Sequence, residues 1–262
     1  MNRYTNYKVI IAVLSVIIIL QGIFLVSFLL KRPKIKAVPA AVRPKIAIVL
    51  DDWGYNLNNL HFLNEIAYPL TISILPNLSY SSLIAREANN KGLEIILHLP
   101  LEPTPSEVMR LERNTILSNM DAEQIKDIFL GDVNSIASAR GVSNHMGSKV
   151  TSDLADMEVI FREMHKKNLY FLDSMVSKKS VCEKLARKMD VKFTKRDIFL
   201  DNENNPAYIK GQINKLKLRA LSLGYAVGIG HDRRITLEVL KEVMPQLEKE
   251  GFQFVFVSQL VK

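Results

Sequence analysis

Five side chains able to carry a proton or a metal ion stand directly after, or within a few residues of, short apolar runs. They are Asp51 and Asp52 after IAIVL, His98 after LEIIL, His145 after GVSN and His231 after VGIG. A buried strand interior does not tolerate an unpaired charge, so these positions mark where strands open onto solvent. Two adjacent carboxylates repel, and one is held protonated unless a cation sits between them. Either acid alone equally suits a helix cap or an Asx-turn before Gly54, and a lone histidine is more often a satisfied core residue. A carboxylate pair and three histidines at the ends of strand-like runs instead point to one site, because each would otherwise need its own buried partner. Carboxylate and imidazole ligands suit zinc or a similar divalent ion with a position left for water, and the chemistry of that arrangement is hydrolysis.

Other polar residues fall at the same ends: Glu102 in HLPLEP, Asn144 and Ser148 around His145, Asp173 after LYFL, and Asp197 and Asp201 in KRDIFLDN. For Asp173 and Asp201, capping or the orientation of a ligand weighs at least as much as a primary role. Glu102 equally suits a surface position in a loop. His61 and His165 lie in helix-like stretches among charged neighbours and read as surface residues. The single cysteine, Cys182, reads as an inert buried thiol in a helix and leaves the redox compartment open.

The elements that must position these groups alternate in type. Strand-like runs at 46–50, 70–75, 93–97, 141–142, 169–172, 191–193, 225–229 and 252–257 are separated by amphipathic stretches at 81–91, 121–139, 153–167, 180–189, 206–223 and 235–250. Repeated strand–helix alternation predicts an α/β fold with a parallel sheet, and the count at this length favours a (β/α) barrel, complete or incomplete, over an open sheet. Asp121 with Gln124 has the spacing of a capping box, and Gly92, Gly224 and Gly251 stand where helices end. The connection 100–119 is long for a compact domain and reads as a lid or binding loop.

Upstream, residues 9–30 form an uncharged apolar run of the length that spans a bilayer, preceded by the short segment 1–8. A signal peptide would be shorter and end in small residues, so the run reads as an uncleaved transmembrane anchor. Residues 31–43 (KRPKIKAVPAAVR) read as an extended tether, and 44–262 as the functional domain. An extracytoplasmic domain on a membrane anchor is the expected arrangement, although Lys31, Arg32, Lys34 and Lys36 outnumber Arg3 and Lys8 and the positive-inside count alone favours the cytoplasm. The net charge of +8 suits a membrane surface or an anionic polymer. It comes without an aromatic-interleaved basic stripe, so nucleic acid is not an expected partner.

Taken together, the Asp51–Asp52 pair, HLPLEP, SNHMGSKVTSD, FLDS, RDIFLDN and GIGH resemble the divergent polysaccharide deacetylase family, a relative of the NodB-type carbohydrate esterases. The resemblance runs from about Pro44 to the C-terminus and implies a deformed (β/α) barrel with one divalent metal, zinc being the leading expectation, at the strand ends. It casts Asp51 as catalytic base, Asp52 as a metal ligand and His231 as general acid. The usual pair of histidines four residues apart is here His98 and Glu102, and the usual arginine-proline-tyrosine motif is replaced by NHMGS. His145 is therefore the expected third ligand beside Asp52 and His98, with Glu102 the competitor. The implied activity is removal of acetyl groups from N-acetylated sugars of a cell-envelope glycan or peptidoglycan. The alternative is a non-catalytic envelope carbohydrate-binding or regulatory protein on the same scaffold.

Overall fold

The computed structural model describes residues 43–105 and 110–262, together with Gln21. Apart from Gln21 and Arg43, the expected membrane anchor and tether therefore lie outside the described residues; among those described, no helix is long and apolar enough to cross a membrane.

Among the described residues, nine strands form one sheet: β1 (Lys45–Trp53), β2 (Thr71–Ile74), β3 (Glu94–Leu101), β4 (Gly141–Met146), β5 (Tyr170–Asp173), β6 (Phe193–Lys195), β7 (Ile198–Phe199), β8 (Tyr225–His231) and β9 (Gln253–Phe254). The α-helices between them are α1 (Phe62–Glu65), α2 (Ser81–Asn90), α3 (Ala122–Ser135), α4 (Leu154–Lys166), α5 (Cys182–Met189), α6 (Pro206–Leu223) and α7 (Arg234–Lys249). The strand order is β6-β5-β4-β3-β2-β1-β8-β7 with β9 beside β1, and every pairing is parallel. This is the neighbour order of an eight-stranded (β/α) barrel, interrupted where β6 and β7 do not pair. The expected (β/α) barrel is thus incomplete, open along one seam.

Period-two alternation decides what each strand face does. On β1, Ile46, Ile48 and Leu50 join the large core under the helices, while Ala47 and Val49 join a second cluster with Ile96, Leu172, Val227 and Ile229 on the inner side of the sheet. Val255, Val257 and Leu260 complete that inner cluster. Stepping two residues onward along the inner rows reaches Asp51 on β1, Ser73 on β2, His98 on β3, Ser143 and His145 on β4, and His231 on β8. An apolar plug thus ends in a polar layer at the C-terminal ends of the strands, where an α/β barrel carries its site.

Local signals account for most boundaries. Asp121 Oδ1 accepts from the Gln124 amide and Gln124 Oε1 from the Asp121 amide, each at 2.9 Å, so α3 starts with the expected capping box. Gly224 ends α6 at φ 82°, its amide donating to Ala220. Two expectations need correction. The helix at 121–139 stops at Ser135, because Ile136 turns out of helical geometry into the core. The supposed loop from Pro100 begins as strand: β3 runs to Leu101, which bridges to Ile116, and the Glu102 amide donates to the Ile116 carbonyl.

Candidate metal and acid–base site

In a regular strand Asp51 and Asp52 would point to opposite faces. The structure departs from this at one residue: Asp52 has φ 66°, and the β1–β2 register shifts between Leu50 and Trp53. Such a bulge re-aims a side chain at a functional edge. It is anchored beyond by fully buried Trp53, whose carbonyl accepts from the Leu75 amide at 2.9 Å.

Asp52 thereby meets two histidines. Its Oδ1 lies 3.2 Å from His98 Nε2 and 3.1 Å from His145 Nδ1, and the two ring nitrogens are 3.2 Å apart. Zinc held at about 2.0–2.1 Å in tetrahedral geometry requires donor atoms about 3.3 Å from one another, close to this triangle. Asp52 Oδ1 is buried and receives no aligned hydrogen bond. A buried carboxylate oxygen left this way beside two imidazole nitrogens is a donor set able to hold a divalent metal, and the residues present fit one. Burial pushes the Asp52 carboxyl up, but the contacts with His145 and His98 outweigh it and hold the group well below the usual carboxylate range.

His98 is buried, and its far nitrogen, Nδ1, lies 2.8 Å from Ser143 Oγ. His145 is placed by the turn after it, where Met146 (φ 51°) and Gly147 (φ 89°) are both left-handed. A Cβ at Gly147 would meet Leu101 Cβ at 2.7 Å, so this tight approach of β4 to β3 needs glycine. Asn144 ties the turn down, donating from Nδ2 to the Met146 carbonyl at 2.7 Å and accepting the Ser174 amide at 2.8 Å.

Asp51 and His231 are register partners across β1 and β8. Asp51 Oδ2 lies 3.7 Å from His98 Nε2, and its Oδ1 is buried without a partner. Burial raises the Asp51 pKa, with His98 and His231 pulling it part of the way back. His231 Nδ1 is 2.7 Å from Asp201 Oδ1, while Asp201 Oδ2 accepts the His231 amide at 2.9 Å and the Thr236 hydroxyl at 2.6 Å. Burial alone would lower the His231 pKa; the bond to Asp201 reverses this and raises it. One face of the ring stacks on Phe199, centroids 5.9 Å apart, and the Arg196 guanidinium lies 3.6 Å from the Phe199 centroid. Arg196 is itself held by the Ser174 and Met175 carbonyls.

The remaining expected residues take supporting places. Glu102 does not join the triangle: Lys149 Nζ pairs with its Oε1 at 2.8 Å and the Ser118 amide with its Oε2 at 2.7 Å, so it fastens the β3–α3 connection. Ser148 Oγ accepts the Thr104 amide in that same connection. Asp173 is buried and accepts from the Met175 amide and the Ser180 hydroxyl. Asp197 pairs with Arg219 and accepts the Val227 amide, four residues back along β8 from His231. His61 and His165 are exposed, and Cys182 is buried and free. Residue types alone did not single out Arg196, Ser73, Ser143 or Tyr55. Period-two counting from the apolar plug would have found the two serines; Tyr55, half-exposed three residues beyond Asp52 with its phenol donating to Glu112, shows itself only through exposure.

Comparison with known proteins places this geometry. The chain is 34% identical over 203 residues to an uncharacterized protein of Escherichia coli K12, a match that covers 78% of this chain and 63% of that protein, so the chain spans less than two thirds of that relative's length. The fold is similar to the crystal structure of an uncharacterized protein from Agrobacterium tumefaciens C58 (TM-score 0.81, 23% identity, 86% of this chain and 92% of that one). It is also similar to a family 4 carbohydrate esterase from Streptomyces lividans in complex with acetate (TM-score 0.52, 12% identity, 80% and 91%). Residues 48–261, which include both aspartates, all three strand-end histidines and Asp201, match the family described as divergent polysaccharide deacetylase, and this chain belongs to that family.

Proposed function

We propose that the chain is a metal-dependent hydrolase that removes acetyl groups from N-acetylated sugars of a cell-envelope glycan or peptidoglycan. The observation that carries this reading is the Asp52–His98–His145 donor triangle with Asp51 and His231 at its edge. These three residues would hold the ion, zinc by preference given one carboxylate and two imidazoles. When bound, such an ion keeps a net positive charge and supplies a Lewis acid that polarises an amide carbonyl and acidifies water. Asp51 accepts the proton of the attacking water. His231, whose protonated form the Asp201 carboxylate favours, donates from Nε2 to the departing amine. Phe199 and Arg196 hold the His231 ring against rotation. The Tyr55 ring, pinned through Glu112, offers an apolar face to a sugar ring at the rim. The Streptomyces esterase holds acetate, the product that such a reaction releases.

Residues 9–30 anchor the domain in a membrane, with residues 31–43 as tether and the domain extracytoplasmic, where its polymer would be. A C-terminal reporter fusion decides this: activity of a cytoplasm-only reporter would reverse the orientation. For the reaction, metal analysis of the purified chain is paired with acetate release from acetylated chito-oligosaccharides and peptidoglycan fragments. About one divalent ion per chain with metal-dependent acetate release is expected; bound metal without release from any acetylated glycan would refute the deacetylase reading.

A further inference from the structure

Two hydroxyls in the polar layer take no part in the acid–base scheme. Ser73 on β2 and Ser143 on β4 flank His98 on β3, and both are fully buried. Ser143 Oγ is 2.8 Å from His98 Nδ1 and 2.8 Å from Ser73 Oγ. Fully buried serines on these strands (TISI, GVSN) bring a desolvation cost that valine or alanine would avoid.

We propose that Ser143 and Ser73 are positioning residues that lock His98 in the tautomer presenting Nε2 as an electron-pair donor to a divalent cation. The inference rests on the metal reading of the triangle and follows from counting hydrogens. For Nε2 to give its lone pair away, Nδ1 must carry the ring hydrogen, and the acceptor at hydrogen-bond distance is Ser143 Oγ. The single Ser143 hydrogen cannot then point back at the ring, so it goes to Ser73 Oγ. The Ser73 hydrogen is left to turn towards the neighbouring Asp51 carboxyl group. Donation runs one way, from His98 through Ser143 and Ser73 to Asp51. The opposite direction would put the ring hydrogen on Nε2, facing Asp52 Oδ1 at 3.2 Å and blocking the ligand position. One pair of hydroxyls thus sets both the ligand's tautomer and the donor that faces the base. Hydrogen-bond partners of this kind around metal-bound histidine are worth about 10–100-fold in metal affinity.

The test is zinc titration of the full chain and of S143A, S73A and the double variant S73A/S143A, each with a thermal melt. S143A leaves both the His98 Nδ1 hydrogen and Ser73 unserved, so it weakens zinc binding about 10–100-fold and lowers the melting temperature. Removing both hydroxyls together leaves no orphaned serine, so the double variant melts above S143A while its zinc affinity stays low. In the zinc-loaded wild type, His98 Nδ1–H gives a slowly exchanging downfield proton resonance that is lost or displaced in S143A. Wild-type zinc affinity in S143A, or affinity that recovers in step with stability in the double variant, overturns the proposal. A wild type that takes no zinc overturns the metal reading and this one with it. If the zinc series behaves as stated while the wild type releases no acetate, the positioning role stands and the deacetylase reading alone is lost.

Discussion

Replacing Asp201 by asparagine tests the acid assignment at a single pair of atoms. Asp201 is fully buried and accepts three hydrogen bonds, two at Oδ2 from the His231 amide and Thr236, and one at Oδ1 from His231 Nδ1. The one carbonyl oxygen of asparagine can serve the amide and the hydroxyl, which leaves its NH2 group facing Nδ1. Two donors cannot face each other, so Nδ1 must become an acceptor and His231 is confined to its neutral form. The imidazolium stabilised by the carboxylate is lost, and with it the acid needed to protonate an amine. Losing a general acid costs about 10²- to 10⁴-fold, or about 3–5 kcal/mol of barrier, and kcat for acetate release should fall by that factor. Two of the three hydrogen bonds persist and the third reverses without its charge assistance, so stability should drop by only about 1–2 kcal/mol, which a melt separates from the catalytic loss.

The pH profile carries the sign. The His231 pKa is raised in the folded chain, burial being outweighed by Asp201, so the acid form survives above its ordinary range and wild-type activity declines as pH rises through the raised value. In D201N that alkaline limb moves to lower pH. By linkage, the raised His231 pKa contributes stability that, while Asp201 stays ionised, is fully present below about 6.5, the ordinary histidine value, and is lost as pH rises through the folded-state value. Wild-type kcat in D201N with an unmoved alkaline limb refutes His231 as the acid.

Three further outcomes are expected. His98→Ala and His145→Ala each weaken zinc binding by more than about 100-fold, whereas Glu102→Ala leaves it nearly unchanged and costs about 1 kcal/mol of stability through its lost Ser118 and Lys149 contacts; retained affinity in His145→Ala with loss in Glu102→Ala would exchange their roles. Asp132, buried in α3 with Oδ1 bonded to Asn77 and Oδ2 unpartnered, has its pKa raised by burial to about 7. The folded chain therefore keeps a proton there that the unfolded chain loses near 3.8, and stability falls between about pH 4 and 7; the upper bound is about 4 kcal/mol. Asp132→Asn should thus raise the melting temperature at pH 8 and leave it nearly unchanged at pH 4, and equal effects at both would exclude a buried charge as the cause. Tyr55→Ala should raise KM for an oligosaccharide about 2- to 10-fold with little change in kcat, as loss of one ring face implies; an unchanged KM removes Tyr55 from the substrate surface.

Local pattern carried much of this protein. Apolar runs of strand length, amphipathic stretches between them and capping residues such as Asp121 and Gly224 are short-range signals, and they placed the alternation, the parallel (β/α)-barrel class and the edge at which Asp51, Asp52, His98, His145 and His231 stand. What they could not carry is which atoms meet. Asp52 joins the two histidines because one left-handed residue interrupts β1, and strict alternation would have sent it to the other face. His231 finds Asp201 thirty residues earlier in the chain, and His98 finds Ser143 and Ser73 on neighbouring strands, through registers set when the sheet packs against its helices. Glu102, four residues after His98 and a plausible ligand by spacing, is drawn off by Lys149 and the Ser118 amide, and β6 and β7 part where a complete barrel would have paired them. Side-chain type and period are properties of a few consecutive residues, whereas register, bulges and ion pairs between distant elements are decided by packing the whole domain, and only the tertiary structure records that outcome.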